Sequence, residues 1–120
     1  MPKPEPVADG ATFDLVALAR EMRGEAMYER SGHVARTLVR APDLRLVLMV
    51  MRAGSRISEH KADETASVHV LSGRVHLKLP SHIVELGTGQ LLVLEAGLRH
   101  DVEATDDSAF LLTLGWPGES

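Results

Sequence analysis

Residues 54–73 read GSRISEHKADETASVHVLSG. Between its two terminal glycines, Ala66, Val68 and Val70 recur at every second position, the period of a strand with one buried face. His60 stands six places after Gly54, a spacing that suits a metal-binding strand pair. Ala62 and Ala66, two and six places after His60, carry only methyl groups, which have no donor atom. The stretch therefore frames a strand pair around a site whose metal chemistry is in question.

The same short-strand pattern extends outward in both directions. HVARTLVR (33–40), LRLVLMVM (44–51), ASVHVL (66–71), RVHLKL (74–79), HIVEL (82–86), QLLVL (90–94), HDVEA (100–104) and AFLLTL (109–114) all read as strands. Turn signals separate them: Pro42-Asp43, Ser72-Gly73, Pro80-Ser81, Gly87-Thr88-Gly89, Ala96-Gly97 and Asp106-Asp107. Strands at this spacing without interleaved helices predict an all-β antiparallel sandwich or barrel. LRLVLMVM is apolar at almost every position and should be covered on both faces. FDLVALAREMR (13–23) is the exception to the strand pattern. Leu15, Leu18, Ala19 and Met22 share one helical face, Thr12 is placed to cap its start, and Gly24 to stop it. Residues 1–12, with three prolines, are expected to be a flexible tail and not a secretory signal. Residues 13–120 are expected to form a single domain.

Composition narrows the function classes. Hydrophobic residues make up 44% and charged residues 25% of the 120, ordinary for a globular protein. No apolar run is long enough for a membrane span. A net charge of -4 and four scattered aromatics (Phe13, Tyr28, Phe110, Trp116) argue against a nucleic-acid partner. The absence of cysteine removes disulfides, thiolate metal sites and cysteine nucleophiles, and suits a cytoplasmic location. No nucleophile elbow, phosphate loop or dinucleotide fingerprint occurs.

Residues 54–73 and 89–104 resemble the two motifs of the cupin superfamily. The first motif is G-x5-H-x-H-x3-E-x6-G: Gly54, His60 and Gly73 match, with Ala62 in place of the second histidine and Ala66 in place of the glutamate. The second is G-x5-P-x-G-x2-H-x3-N: Gly89, Gly97 and His100 match, with Glu95 replacing the proline and Ala104 the asparagine. The resemblance implies a small RmlC-like jelly roll, a cupin-type double-stranded β-helix, preceded here by a short N-terminal helix. In a complete cupin the motifs bring three histidines and a glutamate to one divalent metal. Carried over residue by residue, only His60 and His100 remain.

Two imidazoles hold a first-row metal weakly. Glu64, in the run KADE, is the candidate third ligand, although a solvated loop carboxylate is the commoner use of such a residue. His60 and His100 are read first as a polar pair that orients a ligand, second as a metal pair, and third as general acid and base. If Ser72-Gly73 is a two-residue hairpin turn, Val68, Val70, Val75 and Leu77 share the interior face with Ala66. His69 and His76 then become direct neighbours on the outer face. Ala62, Ala66 and the valine-rich wall with His60 and His100 describe an apolar pocket carrying two polar groups. The expected function is binding of a small polar or anionic molecule, with no cofactor or a weakly bound divalent metal (Zn, Ni, Mn or Fe). The alternative is a metal-dependent enzyme of dioxygenase, isomerase or decarboxylase type, using His60, His100 and water or Glu64. A homodimer is expected, from the family and from the doubly apolar strand 44–51.

Overall fold

The computed structural model describes residues 10–115; the side chains of Glu59 and His60 also lie outside the description. Most of the tail expected over 1–12, and Trp116, fall outside it as well.

Among the described residues two helices precede nine strands. Helix α1 spans Leu15–Arg23 and α2 spans Ala26–Ser31. The strands are β1 (His33–Arg40), β2 (Leu44–Met51), β3 (Arg56–His60), β4 (Ala66–Ser72), β5 (Arg74–Lys78), β6 (Ile83–Gly87), β7 (Leu91–Leu94), β8 (His100–Ala104) and β9 (Ser108–Gly115). They form a five-stranded sheet in the order β1-β2-β9-β4-β7 and a four-stranded sheet in the order β3-β8-β5-β6. Every pairing is antiparallel. The inner faces enclose Met51, Val68, Val70, Val75, Leu77, Leu86, Leu94, Val102, Ala104 and Phe110 as one core. This is the antiparallel all-β architecture that the strand spacing predicted and the jelly roll that the cupin resemblance implied.

The helices cover part of the outside of the five-stranded sheet. Ala19, Met22 and Tyr28 pack with Leu48, Val50 and Ala109 in a second cluster, edged by Leu15 and Leu18. The leucine stripe of α1 is thus a packing face. Strand β2 is covered on both sides, as its continuous apolar run required. Met51 faces the barrel core, while Leu48 and Val50 face the helices. At those two residues the outer cover comes from this chain's own helices, so they do not call for a second subunit. Arg36 on β1 ties the layer down through Glu25 at 3.0 Å and Glu21 at 3.5 Å.

Several expectations need correction. Asp14, not Thr12, caps α1: its Oδ1 accepts the Ala17 N–H at 3.0 Å. Both are good capping residues, and the one adjacent to the first helical turn takes the role. Helix α2 (AMYERS) and strand β3 (RISEH) were not anticipated. Six residues are too few to show a helical period, and RISEH alternates polar residues around a single isoleucine.

The largest correction concerns Ser72-Gly73. It is not a hairpin turn, because β4 pairs with β7 and β9 while β5 pairs with β6 and β8. His69 and His76 therefore lie on different sheets and are not neighbours. The inward parity still holds, with Val68, Val70, Val75 and Leu77 all buried. Gly73 is a corner where the chain passes from one sheet to the other with φ at +88°. A Cβ there would collide with the Asp107 carbonyl oxygen and with Ser108. Fully buried Ser108 completes the corner. Its Oγ accepts the Arg74 N–H at 2.9 Å, and its hydroxyl proton lies toward the carbonyls of Asp106 at 2.7 Å and Arg74 at 3.1 Å.

Gly73→Ala should therefore cost about 2–4 kcal/mol, combining left-handed strain with forced repacking. Gly54 has a similar φ of +87°, but nothing lies within 4 Å of where its Cβ would sit, so it isolates the strain. Gly54→Ala should cost only about 1–2 kcal/mol. Denaturant unfolding of the two variants measures the difference.

Candidate functional site

The pleat of β2 assigns its side chains alternately to the two faces, and Met49 and Met51 contact the barrel core. Val47 and Arg45 share their parity and so face inward too. Direct pairing then places Arg45, Leu114, Ala66 and Leu94 in one row across β2, β9, β4 and β7. The next row is Val47, Leu112, Val68 and Leu92. On the opposing sheet, His60 and His100 are direct backbone partners across β3 and β8. His100 shares the inward parity of core residues Val102 and Ala104.

These rows lie at the same end of the barrel. Residues 61–65 connect His60 to Ala66, residues 95–99 connect Leu94 to His100, and the two segments meet where the Gly97 N–H donates to the Ala62 carbonyl at 2.8 Å. Inward-facing Arg45, Val47, Leu92 and Leu112 are only half-buried at this end. At the other end Met51 and Ser108 are completely buried. The inward face is therefore less completely buried on the histidine side than opposite, although Ala66, Leu94, Leu114 and His100 are themselves buried there.

His100 is 6% exposed. Its Nδ1 lies 3.1 Å from the Leu98 carbonyl oxygen. A carbonyl can only accept, so Nδ1 carries the hydrogen and Nε2 is the lone-pair nitrogen of the neutral ring. That tautomer can bind a metal through Nε2 or accept a proton there. Ala66 is 3% exposed and inward, so the carboxylate position of a complete first motif is filled by a buried methyl group. Ala62 is half-buried in the adjoining loop. Val68, Val70, Val75 and Leu77 form the packed wall behind these residues.

Glu64, the suggested third ligand, is half-buried in the loop after β3. Among the described residues no three histidine, aspartate or glutamate side chains are grouped to hold a metal ion. The donor set thus does not fit the metal of a complete cupin. Two of its four ligand positions are alanine, which has no donor atom; a grouping of Glu64 with His60 and His100 involves the His60 side chain, outside the description. The sequence reading missed Arg45, hidden in an otherwise apolar strand. The two-residue period running back from Met51 and Met49 was the signal that could have placed it inside.

A different polar cluster occupies the outer face of the four-stranded sheet. Arg56, Glu103, His76 and Glu85 form one row of direct neighbours across its strands. Arg56, His76, Lys78, Ile83, Asp101 and Glu103 line a groove of about 220 Å³ there. Arg56 pairs with Asp101 at 3.0 Å. Glu85 is bridged by His76 Nε2 at 2.8 Å and Arg74 Nη1 at 2.7 Å. The His76 hydrogen bond, followed by the Arg74 charge, holds the Glu85 carboxyl below its ordinary value of 4.5. These groups are on the outside and do not reach the barrel interior.

Fold and site together define a small jelly roll in which inward His100 pairs through the backbone with His60 at one end of an apolar core. The cupin domain model matches residues 47–114, more than half of the chain, and the chain belongs to that family. No curated protein matches it in sequence at a significant level. Among solved structures, it is similar to a cupin superfamily protein from Desulfitobacterium hafniense, with 12% identity and a TM-score of 0.74. That match covers 97% of this chain and 100% of the other. A conserved protein of unknown function from Streptococcus pyogenes is 23% identical with a TM-score of 0.71, covering 99% and 98% of the two chains. The salicylate 1,2-dioxygenase of Pseudaminobacter salicylatoxidans is 15% identical with a TM-score of 0.76. There the match spans 86% of this chain but 34% of the enzyme. At these identities the likenesses establish the fold.

Two measurements check the electrostatics. Long-range proton–nitrogen NMR at alkaline pH should show His100 as the Nδ1–H tautomer, with Nε2 resonating as an unprotonated nitrogen. In a pH titration the Glu85 carboxyl should titrate below 4.5, and His76→Ala should move it back toward that value. A depressed carboxylate adds stability that is fully present above its unfolded value and is lost as pH falls through its folded one. The contribution of Glu85 should therefore disappear on acidification below 4.5, and Glu85→Gln should flatten that part of the stability profile.

Proposed function

We propose that this cupin domain binds a small polar or anionic molecule at the histidine end of its barrel and does so without a complete metal centre. The observation that carries this reading is Ala66, buried and inward beside the histidine end, where a ligand carboxylate would project. His60 and His100 orient the polar group, and the wall that includes Val68 receives the apolar part. An apolar cavity with a few convergent polar groups is the usual form of a small-molecule site. The role is that of a sensor or accessory domain, and the cysteine-free composition suits the cytoplasm.

A second reading is favoured by one specific observation: His60 and His100 are direct cross-strand partners. In that reading the pair, with water or Glu64, holds a divalent metal for an enzyme of dioxygenase, isomerase or decarboxylase type. Metal analysis of untagged protein separates the two. The first reading expects less than about a tenth of an equivalent of bound metal and no high-affinity uptake of Fe, Mn, Ni or Zn, the behaviour of a two-imidazole site. Stoichiometric metal that disappears in a His60→Ala/His100→Ala variant would establish the second.

We further propose a homodimer. Leu91 and Val93, on the outer face of edge strand β7, are 58% and 61% exposed, and a second copy would cover them. Light scattering should give twice the chain mass, and a Leu91→Lys/Val93→Lys variant should give the monomer.

A further inference from the structure

The outer faces of the two sheets differ in charge. The four-stranded sheet turns Arg56, Arg74, Lys78, Glu85, Asp101 and Glu103 outward. On the five-stranded sheet, the outward positions of β2, β9, β4 and β7 carry no aspartate, glutamate, lysine or arginine. The helices cover one end of that face, at Leu48, Val50, Ala109 and Leu71. Beyond them Leu46, Thr113, Ser67 and Val93 form one row of direct partners, and Leu111, His69 and Leu91 continue the next. Half-buried His69 is the single ionisable side chain on this face of the four strands. Its direct partners are Leu91 on β7 and Leu111 on β9, and its neighbours along β4 are Ser67 and Leu71. Diagonal to it stand Val93, Ala109 and Thr113, so none of the groups around it carries a charge. The side of α1 turned to the sheet adds only apolar residues, Leu15 and Leu18 among them.

We propose that two copies of the chain meet through this uncharged face of β9, β4 and β7, and that protonation of His69 separates them. The inference rests on the homodimer proposed above and gives it a face and a regulation. Copies that each carry a net charge of -4 repel one another, so association favours a face without charge. Two-fold symmetry brings the same patch from both sides, so a neutral surface meets a neutral surface. Depletion of charge together with exposed apolar side chains such as Leu91 and Val93 is the composition of an interface core. The uncovered rows are smaller than the roughly 20–30 residues a side of a standard interface, so the dimer is reversible and one ionisable group per copy weighs in its equilibrium. An imidazolium enclosed between Leu91, Leu111 and the second copy would lose its water with no carboxylate to pair with, which is costly. Association is therefore fully present above about pH 6.5, where an imidazole is ordinarily neutral, and is lost as pH falls below it. Acidification also reduces the net negative charge, which by itself would tighten the dimer, so the two effects have opposite signs.

Sedimentation velocity over a concentration series, at about pH 8 and about pH 5.5, gives the dimer dissociation constant on either side of imidazole protonation. The constant should rise about ten- to a hundredfold on acidification, the upper figure corresponding to one proton taken up per copy. His69→Gln, which takes up no proton, should dimerise at both pH values with the constant changing less than about threefold. His69→Lys, charged throughout, should be monomeric at both. Circular dichroism verifies folding; if His69→Lys does not fold, Ser67→Lys on the same face takes its place. A dissociation constant that is unchanged or falls on acidification, or a rise that survives in His69→Gln, overturns the proton linkage and leaves the homodimer standing. A dimer that persists both in His69→Lys and in Leu91→Lys/Val93→Lys places the contact elsewhere and overturns this face. A monomer at every pH, at concentrations up to about 1 mM, removes the homodimer and the inference with it. Co-sedimentation of that monomer with phosphatidylcholine vesicles would assign the face to lipid instead.

Discussion

The passage of the chain from β4 to β5 at Gly73 governs what the rest of the molecule can do. Two successive strands joined by so short a connection would ordinarily form a hairpin within one sheet. Here the backbone of Asp107 and Ser108 occupies the space beside Gly73, and Ser108 engages the carbonyl and N–H of Arg74. Only a residue without a Cβ, at φ +88°, passes through that gap. The turn therefore delivers β5 to the opposite sheet. As a result Val68 and Val70 face Val75 and Leu77 across a core instead of lying beside them. Burial is complete at Met51 and Ser108 here, and less so at the histidine end.

That difference in burial between the two ends connects packing to chemistry. The buried side chains around Met51, Phe110 and Val70 provide the hydrophobic driving force. A rigid wall of this kind lets the neighbouring rows present specific groups to solvent without collapsing. His100 illustrates the point: its Nδ1–H is held by Leu98 in the same segment that joins the two sheets. The helices contribute at a distance. By covering Leu48 and Val50 they hold β2 against β9, and β2 is the strand that directs Arg45 inward.

The alanines at 62 and 66 alter the character of this end of the barrel as well as its donor count. A site with three histidines and a glutamate concentrates a cation. With a methyl group at the glutamate position, one negative charge of such a site is gone. Family membership establishes the scaffold, but function resides in the particular groups grafted on it. The outer groove with its Arg74–Glu85–His76 bridge belongs to the solvated side of the sheet, where exposed ion pairs contribute little to stability.

The sequence by itself determined the strand boundaries of β1, β2 and β8, the inward parity of Val68, Val70, Val75 and Leu77, and the loss of donor atoms at Ala62 and Ala66. Period-two burial and motif spacing are local properties, so they are legible in one dimension. The strand partners were not. Whether β4 paired with β5 depended on Asp107 and Ser108, distant in the chain, filling the space beside Gly73. Arg45 shows the same limit. Its two-residue period with Met49 and Met51 is legible and gives it their face, but only the packing of those methionines shows that this face is the inner one. Helix α2 and strand β3 were too short or too polar to show a period and are held by tertiary contacts. Local hydrophobic pattern decided which residues go inside; the packing of distant segments decided which of them meet.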